Sequence, residues 1–340
     1  IHSDSIAFIC NLSYFFSTNQ IKEIEFNVNS LITITESRFV NLFKLTNTIS
    51  NINQQQLQQQ QSQSQQKIIP YSLESELSNQ YLKIGGPFAA DLPIGEHLFA
   101  CSKDGGLILS CGHWDSSIKC TWINQSRPIQ SLNKHKDLVT CIALGVDGKT
   151  FVTGSKDTTV LVWNINYQKG IAVYVDETPQ HILYGHNGEV TCIAVDIGLD
   201  ICVSGSQDGT CIIHNLQNGE YLRSLYHPKE LPISLVAISS LGHIIFYSNS
   251  DLILYVYNIN GKLLVHCDIP DRLQQIFIPK SSKYIITTSL DGTISFREIH
   301  TLKLVHRVSV PQRILSISMS ADESIFIAAL VDGHLLLLGL

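Results

Sequence analysis

The chain has 340 residues, of which 44% are hydrophobic, and its 23 Lys and Arg against 29 Asp and Glu give a formal net charge of -6. The basic residues are scattered along the sequence, so the sequence predicts neither a patch for the phosphates of nucleic acid nor a polybasic segment for a membrane surface. No apolar run reaches the roughly 20 residues that span a bilayer, so we expect no membrane insertion.

The N-terminus, IHSDSIAFICNL, has neither an initiator Met nor the basic region of a signal peptide. The nine cysteines stand among apolar residues, which is typical of reduced, buried thiols. We therefore expect a piece of a longer cytosolic protein.

Short β-rich runs begin at once. The run SIAFICNL at 5–12 has no unit of its own, and LITITESRFVNLFKL at 31–45 has the rhythm of two strands. The stretch 51–68 contains NQQQLQQQQSQSQQ, a composition that predicts a disordered insertion, which we interpret as a tolerated loop expansion; an interaction tract is the alternative. YLKI at 81–84 is the predicted fourth strand of this first unit.

The next stretch, CGHWDSSIKC, places Cys111, His113 and Cys120 within ten positions and raises the question of a zinc site. Alignment of Asp115 with Asp157 puts Cys111 in the place of Thr153 and Cys120 in that of an inward-facing Val. No fourth ligand stands at a zinc-like spacing, so we predict no metal and no cofactor here.

From this point a unit of four short strands repeats. Its marker is an Asp before a β-rich run, at intervals of 40 to 51 residues. Such a period predicts an all-β fold, a seven-bladed β-propeller over residues 1–340. We expect the N-terminal strand to close the ring by pairing with the edge of the last blade, which offers only three strands. The marker residues are Asp115, Asp157, Asp208, Asp251, Asp291 and Asp332.

The unit NKHKDLVTCIALGVDGKTFVTGSKDTTVLVWNI resembles a WD repeat. The resemblance implies a buried hydrogen-bond network of His135, Thr153, Asp157 and Trp163. The next unit has His186, Ser204 and Asp208 at the same spacing, with His214 in the place of the Trp. Thr153 and Ser204 fall inside apolar strands, so we interpret both sets as structural and predict no catalytic Ser–His–Asp relay.

The residue before each turn Asp is expected on the face that the His loops surround. Trp114, Lys156 and Gln207 hold this position in three successive units, before Ser250, Leu290 and Val331. An exposed Trp favours a binding role, whereas a Trp packed over its neighbour would be a structural plug. A second insertion, around 170–180, is predicted between the third and fourth strands of its unit, as is the Gln-rich stretch.

The segments PFAADLPIGEHLFACSKDGGLILSCGHWDSSIKC and ILYGHNGEVTCIAV are similar to the C-terminal WD-repeat domain of BEACH-domain proteins of the neurobeachin and beige-like type. The resemblance covers nearly the whole chain and is most specific in residues 86–225. The resemblance implies an upstream BEACH domain outside this chain. It also implies a non-catalytic protein-interaction role in a large cytosolic scaffold, peripheral to intracellular membranes, for vesicle traffic and lysosome-related organelles. The implied partners are proteins and the BEACH region of the same polypeptide.

Three other functions compete with this interpretation. A different WD-repeat adaptor, such as a ubiquitin-ligase substrate receptor or a G-protein-β-like subunit, is compatible with the same repeats. A phosphoinositide-binding propeller would need a paired-arginine loop, and this sequence has isolated arginines such as Arg297, Arg307 and Arg313. An enzyme is disfavoured because the sequence has no carboxylate pair or phosphate-binding glycine loop.

Overall fold

The structure, a computed structural model, describes residues 6–13, 29–35, 39–47, 71–75, 82–83, 86–90, 92–93, 95–123, 129–319, 323, 325–332 and 334–339. Regular structure in them is almost entirely β-strand, and none of their helices is long and apolar enough to cross a bilayer. The strands are rich in Val, Ile, Leu and aromatic residues, with Gly, Asp and Asn in the turns. The predicted Gln-rich insertion at 51–68 lies outside the described residues.

The first five strands form one antiparallel sheet, named here the N-terminal sheet. Their bounds are Ile6–Ser13 (β1), Asn29–Thr35 (β2), Phe39–Asn47 (β3), Tyr71–Ser75 (β4) and Leu82–Lys83 (β5). The hydrogen-bonded order is β1-β2-β3-β4, and β5 also pairs with β3. The predicted strand at 81–84 is thus confirmed as β5.

The pairing of β1 corrects one prediction. This strand pairs with β2, from Ile6 opposite Thr35 to Ser13 opposite Asn29, and not with the edge of the last sheet. The prediction that residues 5–12 pair with the last unit is therefore wrong. A strand nearby in sequence closes a much shorter loop than one at the far end of the chain, so its pairing costs less entropy.

A 3-10 helix, Glu96–Leu98, precedes six further antiparallel sheets, and these are blades A to F of a β-propeller in chain order. The all-β prediction is confirmed. Blade A contains β6 Phe99–Cys101, β7 Leu107–Ser110, β8 Ile118–Trp122 and β9 Gln130–Leu132; blade B contains β10 Val139–Leu144, β11 Thr150–Ser155, β12 Val160–Gln168, β13 Ile171–Val175 and β14 His181–Leu183; blade C contains β15 Val190–Asp196, β16 Ile201–Ser206, β17 Thr210–Asn215 and β18 Tyr221–Tyr226.

The last three blades repeat the pattern, except that blade F has three strands. Blade D contains β19 Leu235–Ile238, β20 His243–Ser248, β21 Ile253–Asn258 and β22 Leu263–Asp268; blade E contains β23 Leu273–Phe277, β24 Tyr284–Ser289, β25 Thr293–Glu298 and β26 Leu304–Ser309; blade F contains β27 Ile314–Met319, β28 Ile325–Leu330 and β29 Leu335–Gly339.

Successive turns of such sheets lie at opposite ends of the strands. The loops before each first strand and the turns between second and third strands therefore share one face, named here the Asp-turn face. The turns between first and second strands, and between third and fourth strands, share the other face, named the hairpin face. The first strands lie innermost and enclose a central channel of about 410 Å³, lined by residues such as Cys101, Ile142, Ile193, Gln275 and Leu315.

The insertion near 170–180 lies where it was predicted, but it forms a strand. β12 continues to Gln168, so β13 pairs with its far half and β14 with its near half. β13 also reaches blade A, because the amide of Ala172 donates to Asp104 Oδ2 at 2.9 Å and Gln130 Nε2 donates to the carbonyl of Val175 at 2.8 Å. The insertion thereby forms hydrogen bonds with two neighbouring blades, A and B. The N-terminal sheet has the same arrangement, because β4 pairs with the far half of β3 and β5 pairs with its near half.

Candidate functional site

Blade B contains a four-residue hydrogen-bond network, as predicted from its sequence. His135 Nδ1 lies 3.1 Å from Asp157 Oδ2, and His135 Nε2 lies 2.9 Å from Thr153 Oγ1. Trp163 Nε1 donates to the same hydroxyl at 3.0 Å. An ionised carboxylate only accepts, so Nδ1 carries the imidazole proton and the Thr153 hydroxyl donates to Nε2. Every polar group of the network then has a partner.

Local structure brings these side chains together. Asp157 stands in the turn between β11 and β12, where its Oδ1 accepts from the amide of Thr159 at 2.9 Å. Its Oδ2 accepts from the amide of Lys136 at 2.7 Å, which fixes the loop before β10. Trp163 is fully buried and stacks on Phe151, with ring centroids 6.0 Å apart. The network therefore ties two loops of the Asp-turn face to the blade core.

These contacts set the charge state of Asp157. Burial alone would raise the pKa of its carboxyl group, but hydrogen bonds from His135, from Thr159 and from the amide of Lys136 lower it well below the usual range. The carboxylate is therefore ionised at neutral and mildly acidic pH. Thr153 is fully buried and already bonded, so it is not an exposed nucleophile.

Blade C repeats the network with one member replaced. His186 Nδ1 lies 3.3 Å from Asp208 Oδ2, and Nε2 lies 2.8 Å from Ser204 Oγ. Burial lowers the pKa of His186, against the opposing effect of Asp208, so its imidazole is neutral near pH 7. His214 does not substitute for the indole: its Nε2 lies 3.0 Å from the carbonyl oxygen of Tyr184. Ser204 therefore accepts no bond corresponding to that of Trp163.

Blade D carries a third pair that the sequence analysis missed. His227 Nε2 lies 3.1 Å from Asp251 Oδ2 but makes no hydrogen bond to it, whereas the Tyr255 hydroxyl donates to the same oxygen at 3.1 Å. The amide of Lys229 donates to His227 Nδ1, so this imidazole carries its proton on the other nitrogen. His227 stands 24 residues before Asp251, whereas the spacing in blades B and C is 22 residues, so the repeat spacing did not predict this pair. A Tyr four residues after the turn Asp was the available signal.

The cysteines of CGHWDSSIKC are part of the packing of blade A. Cys111 and Cys120 are fully buried, and burial raises the pKa of both thiols, to about 12 for Cys120. His113 Nε2 lies 2.9 Å from Ser110 Oγ, and its ring stacks on Phe88. Within the described residues, no three His, Cys, Asp or Glu side chains are grouped as metal ligands.

The alignment of Cys111 with Thr153 was wrong by one residue. Lys119 and Leu161 are equivalent, because each stands four residues after its turn Asp. Ser110 pairs with Lys119 and Thr153 pairs with Leu161, so Ser110 is the blade A residue that corresponds to Thr153. The turn of blade A is one residue longer than that of blade B, which the alignment on Asp115 could not show. Asp115 bonds to Lys119 Nζ at 2.7 Å instead of to a His.

Trp114, Lys156 and Gln207 lie in equivalent turns of blades A, B and C on the Asp-turn face. Their backbone amides are held by the preceding loops, as in the bond from Gln207 to the carbonyl of Glu189 at 2.9 Å. Trp114 is 67% exposed, so most of its indole ring is uncovered. Lys156 Nζ lies 3.8 Å from Glu189 Oε2, which leaves its charge only partly screened.

The family model described as the neurobeachin beta propeller domain matches residues 28–340. The chain belongs to this family. This neurobeachin-type propeller is 35% identical to BEACH domain-containing protein B of Arabidopsis thaliana over 74% of the chain and 10% of that protein. It is 32% identical to BEACH domain-containing protein lvsE of Dictyostelium discoideum over 71% of the chain and 11% of that protein. It is 29% identical to BEACH domain-containing protein lvsD of the same organism over 63% of the chain and 9% of that protein.

The neurobeachin-type propeller thus spans about a tenth of the length of these curated relatives.

The two networks of this propeller should respond differently to loss of their hydroxyl group. Thr153→Val leaves both Trp163 Nε1 and His135 Nε2 without a partner, whereas Ser204→Ala affects His186 alone. We expect Thr153→Val to lower the free energy of unfolding by about 2 to 4 kcal/mol and Ser204→Ala by about 1 to 2 kcal/mol. Denaturant unfolding of both variants measures this. Equal losses would contradict the directional network in blade B.

Lowering the pH should remove the stability that the ionised Asp157 carboxylate contributes. The pKa of Asp157 is lower in the folded chain than in the unfolded chain, so its contribution to stability is complete above about pH 4 and is lost as the pH falls further. We expect Asp157→Asn to lose less unfolding free energy than wild type between pH 5 and pH 3. Parallel denaturant curves at these two pH values test this. An identical pH dependence would show that Asp157 is not stabilised in its charged form.

Proposed function

We propose that this chain is a non-catalytic protein-interaction domain of a large BEACH-type scaffold. Membership of the neurobeachin propeller family and the tenfold greater length of the curated relatives support this proposal. The scaffold would be cytosolic and peripheral to intracellular membranes, and it would act in vesicle traffic and in the organisation of lysosome-related organelles. Partner proteins and the BEACH region of the same polypeptide are its proposed ligands.

We further propose that residues 1–340 form a single domain in which the N-terminal sheet is a seventh blade. β1 lies beside β27 of blade F and also approaches β6 of blade A, and this position supports the proposal. The ring would then be closed by packing of an entire sheet between two blades. No exchange of a terminal strand is needed.

The Asp-turn face is the proposed binding surface, and the exposure of Trp114 is the observation that carries it. A large indole left uncovered in a rigid turn is the kind of side chain that dominates the energy of protein interfaces. The turn of Trp114 is held by backbone bonds, so little ordering entropy would be lost on binding. Lys156 and Gln207 extend the surface with polar groups on the two following blades.

A Trp114→Ala variant tests this surface against the purified BEACH region of the same polypeptide. We expect the Kd measured by calorimetry to rise about tenfold or more, because a buried interface Trp contributes about 2 kcal/mol or more. The melting temperature should change little, since the ring makes few contacts within the domain.

Tyr221→Ala is the matched control, because Tyr221 is 56% exposed on the outer strand of blade C. Its affinity for the BEACH region should equal that of wild type. A loss of stability with unchanged binding in Trp114→Ala would show that the indole is a structural plug. Failure of the wild-type chain to bind the BEACH region would remove that region as a partner.

A further inference from the structure

The hairpin face of blades D and E carries a group of basic side chains. Its four exposed lysines stand in turns at the ends of strands, where they outnumber two carboxylates, those of Glu298 and of Glu323, which also lines the adjoining groove. Glu298 accepts from the Thr301 hydroxyl at 2.7 Å, and Glu323 accepts from the amide of Ser281 at 2.9 Å. The group, named here the basic cluster, consists of Lys262, Lys280, Lys283 and Lys303. His243 and His300 stand among these lysines, and burial together with the neighbouring His300 lowers the pKa of His243, so its imidazole is neutral near pH 7.

Contacts between the two blades keep this cluster together. The His243 and His300 rings lie 5.0 Å apart, which joins the start of β20 to the turn after β25. Ser240 Oγ and Ser282 Oγ are 2.8 Å apart, which joins the two turns after the first strands. The carbonyl of Lys283 accepts from the amide of Ile299 at 3.1 Å. The lysines therefore share one continuous surface.

The basic cluster adjoins an apolar groove between blades E and F. The groove encloses about 380 Å³, and its walls are mainly apolar side chains from the outer half of blade E and the end of β27. Val305 is 58% exposed at its rim. Lys280 and Lys283 stand in the turn whose flanking residues, Pro279 and Tyr284, line the groove. The other main wall residues are Ile286, Phe296 and Met319.

We propose that the basic cluster and this groove together form a docking site for an acidic segment of a partner protein. One large apolar side chain of the segment would enter the groove, and the carboxylates on either side of it would pair with the lysines of the basic cluster. Charge complementarity supplies orientation and a fast association rate, and burial of the apolar side chain supplies affinity. This site lies on the face opposite Trp114 and does not depend on the function proposed for that residue.

The charges of the other blades favour a peptide over a membrane surface as the ligand. The hairpin-face turns of the neighbouring blade C carry carboxylates without a Lys or Arg, namely Asp196, Asp200 and Glu220. A flat anionic bilayer large enough to cover blades D and E would also meet these acidic turns and be repelled by them. A narrow acidic segment contacts the basic half alone.

The test uses the complete 340-residue chain and a fluorescein-labelled peptide with a Leu-Phe pair between two short runs of glutamate. Fluorescence anisotropy should show binding that weakens as salt is added. The double variant Lys280→Glu, Lys283→Glu should weaken it about tenfold or more, because each reversal replaces an attraction by a repulsion. Val305→Ser should weaken binding about threefold, through lost apolar burial.

Lys149→Glu is the matched control variant, because Lys149 precedes the second strand of blade B as Lys283 precedes that of blade E. It makes the same kind of charge reversal at an equivalent turn, and it should leave peptide affinity unchanged. A peptide with lysines in place of the glutamates should not bind, and a peptide with Ser-Ser in place of Leu-Phe should bind more weakly.

Three results would overturn the proposal. They are absence of peptide binding, an equal loss of affinity in Lys149→Glu and in the double variant, and equal binding of the Leu-Phe and Ser-Ser peptides. Sedimentation with phosphatidylcholine vesicles, with and without phosphatidylserine, tests the alternative that the ligand is an anionic membrane surface. Binding to the anionic vesicles without binding to the peptide would assign the basic cluster to a membrane surface instead.

Discussion

The blades of this propeller are apolar on both faces, so each needs a neighbour on both sides. Along β12, Leu161 and Trp163 pack into a cluster shared with blade A, whereas Val160 and Val162 pack into a cluster shared with blade C. A sheet with two apolar faces cannot end a stack without exposing one of them to water. A ring satisfies every blade at once, and the channel at its centre is the geometric consequence.

The hydrogen-bond networks follow from the same packing. Loops that close over buried strands carry polar groups away from water, and each group then requires a partner. Blade B meets this requirement with His135, Thr153, Asp157 and Trp163. Blade D meets it in part: Tyr255 bonds to Asp251, whereas His227 Nε2 lies near that carboxylate without a hydrogen bond. The shared feature is a turn Asp that lies close to a loop imidazole. The remaining partners differ because any donor of suitable reach can complete the set.

Repeat spacing was sufficient to predict strands and turns, and the resemblance to a WD repeat added the networks of blades B and C. These features depend on local sequence, such as an Asp at a turn and a His 22 residues before it. The errors have a common physical origin. The partner of β1, the equivalence of Ser110 with Thr153 and the pairing of His227 with Asp251 all depend on loop lengths and strand register. Sequence periodicity does not specify these quantities.

The proposed division of roles between the two faces rests on the same ring. Fixed loops present Trp114 on one face, and short hairpins present the basic cluster on the other, so one rigid disc could hold two partners without mutual contact. Ring closure is the central claim of this account. Amide hydrogen exchange, compared between the full chain and a chain that begins at residue 86, tests it most directly. The account predicts faster exchange in both β6 and β27 of the shortened chain, because β1 lies beside both strands. Unchanged protection of these two strands would contradict it.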